Sequence, residues 1–204
     1  MVALSYGEKG ESGELWKIPG QTLENVKKIR HQEAAKAAAE IGADFVAFDL
    51  GDYPLEINDA AAKRLVELLR ELAPSVLVTH SAVDPFNPDH PVAHLAAEKA
   101  RKVAMGAAGV PSAFPTIKPP RVYVFEPHHP ELCGFVPNTF IDITPVMARK
   151  EAAMSAMASQ SYLRDHYRQR AQQRAVQARY FGAGPEAEFV EAFQLLTPRL
   201  TKEL

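Results

Sequence analysis

The chain has 204 residues, a formal net charge of -2, 47% hydrophobic residues and 24% charged residues. That balance belongs to a globular chain with enough apolar side chains for a core, and so small a charge gives no electrostatic basis for holding nucleic acid or a membrane surface. The one cysteine, Cys133, excludes an internal disulfide and a cysteine-based zinc site, and fits a cytoplasmic setting.

Residues 1–5 are apolar and predict a strand that starts at the first residue. Residues 6–20 contain four glycines and a proline, so they predict a loop. Glu8, Glu11 and Glu14 lie in it, and a carboxylate in a Gly-rich loop after a strand is a candidate proton carrier. Residues 22–41 keep helical apolar spacing, with Thr22 as N-cap and Gly42 as the stop. Arg30 and Glu33 fall on one face of that helix. Residues 44–50 predict a second strand, followed by the turn G-D-Y-P, which places Asp52 just past the strand end. Asn58 is the predicted cap of a helix over 59–72, with Ala62, Leu65, Val66, Leu68 and Leu69 facing inward.

Residues 75–79 predict a third strand. It leads into T-H-S-A-V-D-P-F-N-P-D-H-P-V-A-H over 79–94, where three histidines and two aspartates share a loop stiffened by Pro85, Pro88 and Pro91. A helix is predicted from about 92 to 108 and a Pro-rich connection over 109–120. Residues 121–125 alternate like a strand and end in E-P-H-H, which adds His128 and His129. A short strand follows over 139–143, then a helix from Thr144 and Pro145 to about 158. An Arg-rich helix spans 161–180, and a last amphipathic segment ends near Leu196. Arg170 and Arg174, one turn apart, form either a solvated basic face or an anion clamp.

Alternating strands and helices imply a single α/β domain over 1–204, with a Rossmann-like, mainly parallel sheet covered by helices on both faces. In such a sheet the loops after the strands share one edge, where ligands bind. Glu8, Asp52, the 80–94 loop and the E-P-H-H turn all follow strands, which predicts a functional site. The chain has no G-x-S-x-G nucleophile elbow and no phosphate loop ending in Lys-Ser/Thr. Histidines and carboxylates point instead to metal-assisted hydrolysis or hydration.

The ordered set G-E-x-G (7–10), R-x-x-E-A (30–34), I-G-A (41–43), G-D (51–52), T-H (79–80) and P-D-H (88–90) resembles the LmbE/PIG-L family of zinc proteins, which are mostly N-deacetylases. The longer stretches S-Y-G-E-K-G-E-S-G-E-L-W (5–16), G-D-Y-P (51–54), D-P-F-N-P-D-H-P (84–91) and V-F-E-P-H-H-P-E-L-C (124–133) look most like the branch that hydrates 4-oxalomesaconate in the breakdown of gallate and protocatechuate. The resemblance implies a hydro-lyase acting on a small tricarboxylate, with His90 as a zinc ligand, Glu8 as proton-transferring carboxylate (Glu11 the other claimant) and His128 as second acid/base or oxyanion group. Asn87 stands where family deacetylases carry histidine, which disfavours deacetylation and makes Asn87 a candidate substrate contact. From their charge, Arg30 and Lys9 are expected to meet substrate carboxylates. A homo-oligomer is expected, with no nucleic-acid or membrane partner. The family's opening strand and A-H-P-D-D motif, source of two zinc ligands, have no counterpart here. The expectation is therefore an incomplete Zn2+ site and a fold short of its first strand and helix. The alternatives are an N-deacetylase of an N-acetylglucosamine-type substrate and an inactive truncated homologue.

Overall fold

The computed structural model describes residues 1–106 and 111–198. It is a mixed α/β structure whose chain divides into two compact units, 1–56 with 140–191 and 57–139 with 192–204.

In the first unit, β1 (Val2–Ala3) pairs in parallel with β2 (Val46–Ala47), Val2 opposite Val46 and Ala3 opposite Ala47. The ladder continues past both ends: the Phe48 amide donates to Ala3 O at 3.0 Å and the Leu50 amide to Leu4 O at 2.9 Å. Inside the predicted 6–20 loop sits a one-turn helix, α1 (Gly13–Trp16). Sequence reasoning missed it because its glycines hide a turn closed by Ser12 O. The long α2 (Leu23–Glu40) begins where Thr22 Oγ1 accepts the Asn25 amide at 3.2 Å and stops before Gly42, at φ 71°. It packs on α5 (Met147–Ala156), which a short 3-10 turn at Thr144–Val146 introduces, and α5 also touches α6 (Leu163–Arg179). Val26 and Ala38, both at 0% exposure, form the inner face of α2. Ile143, Met147, Ala171 and Phe189 form one apolar cluster, and Ala175, Ala178, Ala187 and Val190 another.

In the second unit, α3 (Asp59–Leu72) starts at the predicted cap, with Asn58 Oδ1 accepting the Ala61 amide at 2.8 Å. Its buried face is Ala61, Leu65, Val66 and Leu69, so Ala61 replaces the predicted Ala62 and Leu68 is half-buried. β3 (Val76–Thr79) runs parallel to β4 (Arg121–Phe125), with Val76 opposite Arg121 and Thr79 opposite Val124. α4 (Asp89–Met105) starts three residues before the predicted position; Ala107 and Ala108 of that prediction, with the first residues of the connection, lie outside the described residues.

The last segment is a strand, β6 (Val190–Leu195), antiparallel to β4 through Tyr123 opposite Leu195 and Phe125 opposite Phe193. β5 (Thr139–Asp142) lies on its other side, so the strand order is β3-β4-β6-β5. The strands therefore form a parallel pair and a four-stranded mixed sheet, where the sequence predicted a single, mainly parallel one. Helical spacing signals strand–helix–strand units and hence parallel pairs, but carries no information on how the final strand returns.

α3 and α4 are tied by a buried cation. Arg70, 5% exposed, donates from Nη2 to Gly106 O at 2.9 Å and Val103 O at 3.3 Å, and from Nε to Ala104 O at 3.4 Å. It thus satisfies the carbonyls that the end of α4 leaves without helical donors. Arg70→Met is expected to lower unfolding free energy by about 2–3 kcal/mol, with Arg70→Lys recovering part of it; an unchanged urea midpoint for the Met variant would show that the guanidinium does not cap α4.

Candidate active site

Two groups of side chains carry the residues singled out by sequence, one in each unit. In the first, the loop after β1 is shaped by its glycines. Gly7 adopts φ 65°, and a Cβ at Gly10 would lie 2.0 Å from Cε2 of the Tyr53 ring, so no larger residue fits there. Asp52, 1% exposed, closes the loop: its carboxylate accepts the Lys9 amide at 2.9 and 3.1 Å and the Gly10 amide at 2.8 Å. Lys9 Nζ donates to Asp52 O at 2.9 Å, so the ammonium expected to meet substrate is bonded to the main chain.

Glu8 is buried at 1% exposure. Its Oε2 accepts the Tyr6 amide at 3.2 Å, its main-chain oxygen accepts Trp16 Nε1–H at 2.6 Å, and Lys27 Nζ stands 3.6 Å from Oε1. Glu11 accepts from Gln160 Nε2 at 3.1 Å.

Arg30 is 6% exposed and bonded in four directions: Nε to Tyr6 O at 3.1 Å, Nη1 to Glu33 at 2.9 Å and to Ser159 Oγ at 2.7 Å, and Nη2 to Gln160 Oε1 at 2.9 Å. Glu33 also accepts the Ser159 amide at 2.8 Å and the Ser159 hydroxyl. Sequence spacing found the Arg30–Glu33 pair and offered a substrate-facing arginine; the structure turns both side chains inward.

In the second unit the histidine loop is built on Asp84. Its Oδ1 accepts the amides of Phe86 at 2.9 Å and Asn87 at 3.2 Å, and its Oδ2 meets His90 Nδ1 at 2.7 Å. Burial alone would raise the Asp84 carboxyl, but the His90 bond and these amides outweigh it and hold it below the ordinary range. Asn87, 7% exposed, accepts the Asp89 amide through Oδ1 at 3.0 Å and so caps the start of α4.

His80, which the sequence reading placed in the loop without a role, stacks on His90 with ring centroids 4.1 Å apart and meets the Phe125 ring at 4.7 Å. His94 Nδ1 bonds His80 O at 2.8 Å. Burial, helped by the neighbouring His90 and His94 and opposed by Asp84, pushes the His80 imidazole down to about 3, so it is neutral at physiological pH. The signal that could have found it is its position directly after β3, one residue past Thr79. His128 is exposed on the turn after β4, its ring 6.1 Å from that of His129, which packs on Phe86 at 4.4 Å.

The PIG-L: GlcNAc-PI de-N-acetylase profile matches residues 1–101. Across its full length the chain is 40% identical to a 4-oxalmesaconate hydratase of Pseudomonas putida KT2440, covering 80% of that protein. The chain belongs to the PIG-L family. Among solved structures it is similar to GalB, the 4-carboxy-2-hydroxymuconate hydratase from Pseudomonas putida KT2440, with a TM-score of 0.95 and 40% identity over all of this chain and 85% of that one. Its fold is also that of N,N'-diacetylchitobiose deacetylase from Pyrococcus horikoshii, with a TM-score of 0.73 and 18% identity over 96% of this chain and 71% of that one.

Zinc is the metal expected of a PIG-L chain. A zinc site needs three or four protein donors. Among the described residues no group of three or more His, Cys, Asp or Glu side chains is placed to hold a metal ion. His90 has one carboxylate neighbour, Asp84, at its Nδ1, and its stacking partner His80 lies face to face with it. By themselves the described residues do not make a closed zinc site.

The neutral His80 has a thermodynamic consequence. The unfolded chain takes up its proton near 6.5 and the folded chain only near 3, so between these values the unfolded state binds more protons and stability falls as pH drops. The urea midpoint of the wild type is expected to fall between pH 7 and pH 5 more steeply than that of His80→Phe; parallel pH dependence in the two proteins would contradict the neutral imidazole.

Proposed function

We propose that the protein adds water across the carbon–carbon double bond of 4-oxalomesaconate, or its enol form, to give 4-carboxy-4-hydroxy-2-oxoadipate. The observation that carries this reading is the 40% identity over the whole chain to the Pseudomonas putida hydratase, matched by the TM-score of 0.95 to the hydratase structure. The water oxygen bonds to the carbon bearing the branch carboxylate, and the adjacent carbon gains a proton. The protein must therefore take one proton from water and deliver one to carbon.

Glu8 is the proposed proton carrier: a buried carboxylate held by a main-chain amide, in a loop fixed by Asp52 and shaped by Gly7 and Gly10. His128, exposed on the turn after β4, is the proposed second acid/base or oxyanion group. His90, oriented through Nδ1 by Asp84, is the proposed ligand of the family's zinc or, without it, a polar contact to substrate. Asn87 keeps a cap in place of the histidine expected of a deacetylase, which favours hydration. The bonds of Arg30 and Lys9 within the protein support a loop-holding role for both. A cytoplasmic homo-oligomer acting on gallate- or protocatechuate-derived acids completes the reading. Exposed Tyr162, Val176, Tyr180 and Phe181 support self-association, and among the described residues no helix is long and apolar enough to cross a membrane.

The test follows loss of the ultraviolet absorbance of 4-oxalomesaconate. The wild type is expected to turn it over, and Glu8→Gln to lose about 100-fold or more in kcat. Release of acetate from an N-acetylglucosamine derivative without hydration of the acid would replace this reading with a deacetylase.

A further inference from the structure

Lys27 reaches two carboxylates at once. Its Nζ lies 2.7 Å from Asp49 Oδ1, a hydrogen-bonded ion pair, and 3.6 Å from Glu8 Oε1, a longer ion pair. The two acids differ sharply in setting: Glu8 is 1% exposed at the side chain and Asp49 is 49% exposed. With no competitor, an ammonium this close to a buried carboxylate would close to a direct pair, where the attraction is least screened.

Asp49 prevents that closure because its own position is fixed. Its φ is 55°, a left-handed conformation unusual for a side chain-bearing residue. The residues on either side are pinned to β1 and its extension, Phe48 to Ala3 O and Leu50 to Leu4 O. Asp49 thus stands at one wall of a recess of ≈ 530 Å3, with Tyr6, Glu24, Lys27, Lys28 and His31 among its other lining residues. The Asp49 bond first, and the Glu8 charge after it, hold the Lys27 ammonium above the ordinary lysine range, so it stays cationic. Other charged or titratable groups around Glu8 include the Tyr6 phenol and, in the same loop, Lys9 and Asp52.

We propose that Lys27 is a positioning residue for Glu8, and that Asp49, by holding the ammonium in the shorter pair, keeps the Lys27–Glu8 pair long so that the Glu8 carboxylate stays open to proton exchange. A carboxylate locked against a cation is a poor base, and one with no cation near it in a buried setting keeps its proton too readily. The inference rests on reading Glu8 as the proton carrier.

The Tyr6 amide donates to Glu8 Oε2, so its nitrogen resonance reports the state of that carboxylate. In 15N-labelled full-length protein, the titration step of the Tyr6 amide is expected to vanish in Glu8→Gln. It is expected to move up in Lys27→Met and down in Asp49→Asn. Lys27→Arg, which keeps the charge, is expected to stay near wild type, and the acid-side inflection of kcat/KM should follow the same order. A general loss of packing would not move the two charge variants in opposite directions. A wild-type midpoint in both, or a shift of both in one direction, overturns the assignment of Lys27. Full activity of Glu8→Gln removes the proton-carrier reading instead, and the two failures are read from different measurements.

Discussion

The loop arrangement of the first unit depends on one buried guanidinium. Arg30 binds Tyr6 O, Glu33, Ser159 and Gln160 together, and Gln160 passes the connection on to Glu11. The partners come from three parts of the unit: the loop before Glu8, the helix α2 itself, and the turn after α5, which supplies both Ser159 and Gln160. A charge taken out of water needs this many partners, because a buried ion left with one lost partner costs several kcal/mol. The network therefore specifies where the Gly-rich loop stands, and Glu8 with it. Glu33 has the same logic in reverse, a carboxylate satisfied by a guanidinium, an amide and a hydroxyl.

The second unit solves the same problem with local bonds. Asp84 folds its loop by accepting two amides within three residues, and spends its other oxygen on His90. Asn87 then starts α4, which carries His90 and His94 in its first turns. The stack of His80 on His90 is tolerable because burial keeps His80 neutral; two charged imidazoles at 4.1 Å would repel.

Most elements were legible where a single local signal decides them. Thr22 and Asn58 cap their helices as their side chains predict, and the Val and Tyr alternation of 121–125 gave β4 with its bounds. What sequence could not show was where polar side chains point. Arg30 and Lys9 read as ligands for substrate carboxylates because charge is visible in a sequence and its partner is not. In the structure Arg30 is buried among protein partners as far as 130 residues away, and the exposed Lys9 bonds the Asp52 main chain. Lys27 and Asp49 gave no signal because neither belongs to a motif and their meeting depends on a left-handed backbone at Asp49. The return of β6 was hidden for a related reason: it runs antiparallel to β4 through contacts of high sequence separation.

The role of Arg30 as a clamp is tested most directly by steady-state kinetics of Arg30→Lys beside its thermal midpoint. A lysine keeps the charge but cannot make the four-way set of bonds. The structure predicts a fall in kcat and in Tm with KM for the tricarboxylate little changed, since the loop loosens while the substrate loses no contact. A KM raised about tenfold or more, with Tm and kcat at wild-type values, would place the guanidinium on the substrate and contradict the account.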